Sequence, residues 1–231
     1  MKTIGLVGGM TWHSTADYYR LINSGIQTRL GGSHSADCIL YSVDFEPVER
    51  LQQEDGWDSL SRFMVEAAKR VERAGADFLL ICANTMHTTA PAVEAAISIP
   101  LLHIADATAS EIRDQGLRTV GLLGTRFTME MEFYRDRLQK KHGLRVLIPS
   151  PDAREKVHDV IYRELAHGII SPSSRDSYLS IIGELRSRGA EGVILGCTEI
   201  PMLIQAGDCP IPAFDTTAIH AAAAVEWALE D

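Results

Sequence analysis

Gly75-Ala-Asp-Phe-Leu-Leu-Ile-Cys-Ala-Asn-Thr85 (GADFLLICANT) and Gly189-Ala-Glu-Gly-Val-Ile-Leu-Gly-Cys-Thr-Glu199 (GAEGVILGCTE) follow one local design at an offset of 114 residues. Each opens on a glycine that can take the left-handed conformation closing a helix. An apolar run of strand length follows, and then a tail of small and polar residues. A second pair strengthens the echo: Ile4-Gly-Leu-Val-Gly-Gly9 resembles Val120-Gly-Leu-Leu-Gly-Thr125 at an offset of 116. Two β-α-β-α units are therefore repeated, with a boundary expected near Gln115–Arg118. This predicts a first α/β half over residues 1–116 and a second over 117–231, with the C-terminal helix able to pack back on the first.

Outward from these segments, short apolar runs are expected to be strands at Thr3–Gly8, Cys38–Val43, Asp77–Ala83, Pro100–His103, Thr119–Gly124, Arg145–Ile148, Gly192–Cys197 and Ile211–Phe214. Longer segments of helical period separate them, the alternation that builds a parallel sheet. In Trp57–Ala74, for example, Leu60, Met64, Ala67, Val71 and Ala74 recur three or four apart, while Arg62, Glu66, Lys69 and Arg73 fill the other positions. Gly75, Gly116 and Gly189 are each expected to end a helix.

The bulk composition narrows the function classes. A chain of 231 residues with 45% apolar content can bury a large core. Its net charge of -9 carries no basic stripe for a phosphate backbone, which argues against nucleic acid as a partner. The apolar runs are too short to cross a bilayer, and the N-terminus enters a strand pattern with no signal-peptide layout. A cytoplasmic protein is expected. Cys38, Cys82, Cys197 and Cys209 are widely separated without metal-type pairs, so they are expected to be free thiols and no metal site is expected.

Two facing halves would bring equivalent strand ends around one cleft, where open α/β sheets bind ligands. The strand tails Gly8-Gly9-Met10, Ala83-Asn84-Thr85, Gly124-Thr125 and Cys197-Thr198-Glu199 carry small or polar groups, so the site is placed there. Cys197 is expected beside a helix start, where backbone amides would favour thiolate and lower its pKa. Alternatively it is a small buried hydrophobe, as most free cysteines are. Asn84 and Thr85 can hold a carboxylate, or simply cap a helix. His87 is read as a helix-start residue and left outside the site. Gly5-Leu-Val-Gly8-Gly9-Met10 lacks the G-x-G-x-x-G spacing of a dinucleotide site, and its glycines are expected to admit a small ligand to the main chain. Arg50 and Gln52 could read a distal carboxylate or amide, or belong to a solvated loop.

In sequence the chain resembles the aspartate/glutamate racemase family of cofactor-independent amino-acid racemases, and within it the broad-specificity and L-aspartate/glutamate-specific branch. The resemblance runs nearly end to end, through MKTIGLVGGMTWHST, YYRLIN, LGGSHSA, YSVDFEPVE, NTMH, LLHIADAT, GLLGTRFTM, GCTEI and FDTTAIHA in order. It implies two pseudo-symmetric α/β halves with an active site between them, a homodimer, and no pyridoxal phosphate or other cofactor. It also implies proton transfer at the substrate α-carbon by two thiols on opposite faces. Cys197 matches the second thiol. The first would stand immediately before Asn84-Thr85, where this chain has Ala83. Cys82 lies one residue early, and a one-residue shift in a strand turns a side chain to the other face. Cys82 could serve only if the strand bulged there. Arg50 is retained, and the resemblance suggests Glu164 for the substrate ammonium, with Met10, Gln52, Ala83, Asn84, Thr85, Thr125, Thr198 and Glu199 around the ligand. Ala166 replaces a lysine found in some aspartate racemases, which weakens an aspartate-only reading. The missing thiol predicts slow or direction-biased racemisation. It also leaves open a one-cysteine isomerase of the maleate type, a decarboxylase, or a non-catalytic amino-acid binder.

Overall fold

The computed structural model describes residues 1–230; Asp231, the last residue of the expected second half, lies outside the described residues. All eight expected strands form. They are β1 (Ile4–Gly8), β2 (Cys38–Ser42), β3 (Phe78–Ile81), β4 (Leu101–Leu102), β5 (Thr119–Gly124), β6 (Arg145–Leu147), β7 (Gly192–Gly196) and β8 (Ala213–Asp215). Every pairing among them is parallel. They build two four-stranded sheets ordered β2-β1-β3-β4 and β6-β5-β7-β8. The sequence repeat is thus a structural repeat: β1 and β5 hold the same sheet position, as do β3 and β7.

The chain divides into one unit of Met1–Ile104 plus the segment from His220 onward, and another of Ala105–Ile219. The division falls at 104/105, ahead of the boundary near 115–118 suggested by the repeat. The cause lies in the helix Ile104–Asp114. Its Asp106 accepts Arg137 Nε and Nη2 at 2.8 and 2.7 Å, Lys141 Nζ at 2.8 Å and His142 Nε2 at 2.7 Å. Burial alone would raise the Asp106 carboxyl pKa, but the three partners together outweigh it and hold the group well below the usual carboxylate range. A helix tied this way belongs with the residues that follow it.

In the first unit β1 and β3 are buried along their whole length, as strands covered on both faces must be. One face packs Ile4, Leu6, Phe78 and Leu80 against Tyr18, Ile22 and Ile26 of the helix Trp12–Leu30 and against Ala221, Ala224 and Val225. The other packs Val7, Leu79 and Ile81 against Leu60, Met64, Ala67 and Val71 of the helix Trp57–Arg73. The apolar spacing expected in that helix is what makes this second face. Gly75 closes it at φ +103°, a conformation open to glycine.

Candidate active site

Several of the residues expected at a site lie just beyond the C-terminal ends of the central strands of each sheet. In the first unit the turn after β1 is closed by Gly9, at φ +95°, where an added Cβ would stand 2.2 Å from Val43 O. Gly9 N donates to Thr15 Oγ1 at 2.7 Å, and Thr15 Oγ1 donates to Thr11 O at 2.9 Å. The tight turn leaves Met10 buried in the cluster that also holds Ala83 and Met86. Gln52, on the helix Phe45–Gln53, is buried and directs Nε2 at Met86 Sδ, 3.2 Å away. Arg50 lies on the same helix and is exposed.

Beyond β3 the register question is decided. Cys82 N still donates to Val7 O at 2.9 Å, so the extended chain continues through Cys82. Its side chain is fully buried among Ile4, Leu6, Tyr18, Ile22, Phe78 and Leu80. Burial there pushes its thiol pKa far up. Ala83 turns to the opposite face, with Val7, Met10 and Met86. The chain shows no bulge at Cys82, the one condition under which a catalytic role was expected for it, and its side chain stays in the core. Asn84 and Thr85 follow, both buried, and Thr85 opens the short 3-10 helix Thr85–Thr89.

In the second unit the ends of β5 and β7 meet through paired glycines, Gly124 opposite Gly196. A Cβ on Gly196 would stand 2.7 Å from Leu123 O, and one on Gly124 would stand 2.8 Å from Gly196 O. Only residues without side chains allow this approach. Thr125 then caps the helix Arg126–Glu130, its Oγ1 accepting Thr128 N at 3.2 Å. Cys197, Thr198 and Glu199 follow β7, all buried. Glu199 Oε2 accepts Cys197 Sγ at 3.0 Å and Thr198 Oγ1 at 2.8 Å. Burial first, and then the Glu199 charge and its hydrogen bond to the thiol, raise the Cys197 pKa well above its ordinary value; the backbone amides of Glu199 and Thr198 act the other way and lose. The lowering of the Cys197 pKa expected from the sequence is thereby corrected to a raising. The helix expected to supply amides is only four residues, Ile200–Leu203.

Tyr178 is fully buried, donates to Val157 O at 2.9 Å, and has its pKa raised by burial first, and then by the negative charge that Cys197 carries once ionised and by that of Glu164. Glu164 ends the helix Pro151–Arg163, is half-buried, and accepts Ser174 Oγ at 2.7 Å. It also borders an open groove of charged side chains that includes Asp159 and Arg163. The structure thus groups Cys197, Thr198 and Glu199 in one unit, and Met10, Gln52 and Ala83 in one cluster of the other. It separates Cys82 from that cluster.

One residue set aside on sequence grounds proves structurally prominent. His87 is buried, lies 2.8 Å through Nδ1 from Ala83 O, and accepts Ile104 N through Nε2 at 3.2 Å. Its spacing of four residues from Ala83 was the available signal. Among the described residues no group of three or more metal-ligating side chains forms a metal site, and no helix is long and apolar enough to cross a membrane.

With this geometry in hand, the family model for Asp/Glu/Hydantoin racemase matches residues 7–224. The broad specificity amino-acid racemase RacX of Bacillus subtilis is 23% identical over 237 residues, covering 96% of each chain. A candidate Asp/Glu racemase of Yersinia pestis has a crystal structure matching at 52% identity and TM-score 0.93, with 100% of both chains covered. An aspartate racemase homologue from Pyrococcus horikoshii matches at 37% identity and TM-score 0.84, again over 100% of both chains. The relatives are racemases, a class of isomerase, and this chain belongs to the Asp/Glu/Hydantoin racemase family.

Proposed function

We propose that the protein is a cofactor-independent amino-acid racemase for aspartate, glutamate or a broader set of amino acids, in which Cys197 moves the α-proton. The observation that carries this reading is the 3.0 Å hydrogen bond from Cys197 Sγ to Glu199 Oε2. A buried thiol with a raised pKa is a poor base by itself, and a neighbouring carboxyl group that already accepts its hydrogen bond can receive its proton. The thiolate so formed takes the α-hydrogen. The carbanion left on the substrate is neutralised by a proton returning from the thiol to the same face, or arriving from solvent or the Thr85 hydroxyl on the other.

Met10, Arg50, Gln52, Asn84, Thr85, Thr125, Glu164 and Thr198 are assigned to substrate binding. Asn84, Thr85, Thr125 and Thr198 serve the α-carboxylate, Glu164 the ammonium, and Arg50 a distal carboxylate. Because Ala83 supplies no proton, inversion is slow or biased toward one direction. The enzyme is assigned as a cytoplasmic homodimer.

Ala83 also favours a second reading, a one-thiol isomerase or decarboxylase on the same scaffold, for which a single Cys197 is enough. Proton NMR of separate L- and D-amino acids in deuterated water, with chiral chromatography of the same samples, separates the two. Loss of the α-hydrogen signal is expected, faster for one enantiomer, with slower appearance of the opposite one. No exchange with any acidic, amide or basic amino acid would reject the racemase reading, and turnover of a dicarboxylate without an amino group would establish the alternative.

A further inference from the structure

An imidazole bridges the segment that bears the unusual Ala83 to a neighbouring strand end. Ile104 N–H can only donate, so His87 Nε2 must accept it, at 3.2 Å. The proton of neutral imidazole then sits on Nδ1, which donates to Ala83 O at 2.8 Å. His87 therefore spans two points of the backbone, the second residue beyond the end of β3 and the second residue beyond the end of β4, the neighbouring strand. Its ring lies 4.4 Å from that of His103 and 6.0 Å from that of His220. His220 repeats the arrangement one step outward. Its Nε2 donates to Leu102 O at 2.9 Å and its Nδ1 accepts Tyr18 Oη at 2.8 Å.

A carbonyl held in this way fixes the plane of the Ala83–Asn84 peptide. That plane sets the direction in which Asn84 and Thr85 leave the strand end. We propose that His87 is a positioning residue: its Nδ1–H, held on Ala83 O, pins the Ala83–Asn84 peptide, which keeps the end of β3 closed over Cys82 and aims Asn84 and Thr85. The proposal deepens the racemase reading by naming what orients that site, and its structural half holds independently of turnover.

Two substitutions separate the two bonds. In His87→Asn the side-chain amide occupies the place of Nδ1 and can keep the bond to Ala83 O, while losing Ile104. In His87→Gln the amide oxygen can reach the Nε2 position and keep Ile104, while losing Ala83. The first readout is alkylation of Cys82 by N-ethylmaleimide, mapped by peptide mass spectrometry on the full chain. Cys82 is expected to stay protected in the unsubstituted protein and in His87→Asn, and to label roughly tenfold faster in His87→Gln, the scale of one buried hydrogen bond removed from a local opening equilibrium. Equal protection in both folded variants would overturn the proposal.

The second readout needs no variant. Nitrogen-15 NMR of His87 is expected to show the Nδ1-protonated neutral tautomer, and an Nε2-protonated ring would overturn the proposal even if His87→Gln failed to fold. Should labelling and tautomer follow expectation while no amino acid exchanges its α-hydrogen, the racemase reading fails and the role of His87 in holding this strand end remains.

Discussion

Cys82 and Ala83 are adjacent in sequence and buried in different hydrophobic clusters, Cys82 with Tyr18 and Ile22 and Ala83 with Met10 and Met86. The alternation of side chains along an extended chain is the whole cause. A cysteine is present, one position from where it would be useful, and packing makes that position inaccessible.

Moving the thiol by one residue is therefore informative. Ala83→Cys is expected to raise the rate of racemisation by about tenfold or more, the lower part of the range for a positioned proton donor. Chiral chromatography of both reaction directions checks it, and the direction bias should shrink together with the rate gain. An unchanged rate in a folded variant would show that position 83 does not face the reacting carbon.

The core assignment of Cys82 has the opposite signature. Cys82→Ser leaves a hydroxyl in an apolar cluster at a cost of about 1–3 kcal/mol, with α-hydrogen exchange retained. Urea denaturation followed by circular dichroism measures the first, and NMR in deuterated water the second. Loss of exchange at unaltered stability would return Cys82 to the chemistry.

Cys197 and Glu199 act as one unit in the proposed mechanism. Cys197→Ala is expected to abolish α-hydrogen exchange. Glu199→Gln, which keeps the shape but can no longer receive the proton, should lower kcat by roughly a hundredfold or more with a smaller change in KM. Steady-state kinetics on both variants decide this. With the carboxyl present, its negative charge adds to the effect of burial in raising the thiol pKa. The glutamine variant should therefore alkylate Cys197 at lower pH than the unsubstituted protein does.

The acid limb of stability should carry the mark of His220. Burial lowers its pKa to about 4 from an ordinary value near 6.5. Between those values the unfolded chain binds the proton and the folded chain does not, so stability is present above about 6.5 and is lost as pH falls toward 4. The loss approaches about 3 kcal/mol below that window. Thermal melts at a series of pH values should show it. His220→Gln should flatten the dependence, whatever its effect on the melting temperature at neutral pH.

Much of the architecture was legible because it rests on periodicity. Alternating strand and helix lengths located all eight strands, and the repeated GADFLLICANT and GAEGVILGCTE segments marked two equivalent central strands, since local spacing and side-chain polarity are written directly in the chain. The grouping of Cys197 with Thr198 and Glu199, and the departure at Ala83, were legible in the same way. Tertiary structure alone decided the rest. The division at 104/105 depends on Asp106 meeting Arg137, Lys141 and His142, an encounter across some 30 residues that no local pattern encodes. The protonation of Cys197 depends on burial and on the direction of the Glu199 side chain, which outweigh the nearby amides. The meaning of His87 depends on Ile104 arriving beside it. Periodicity is a property of neighbouring residues, whereas pKa values, register and hydrogen-bond partners are set by groups that only folding brings together.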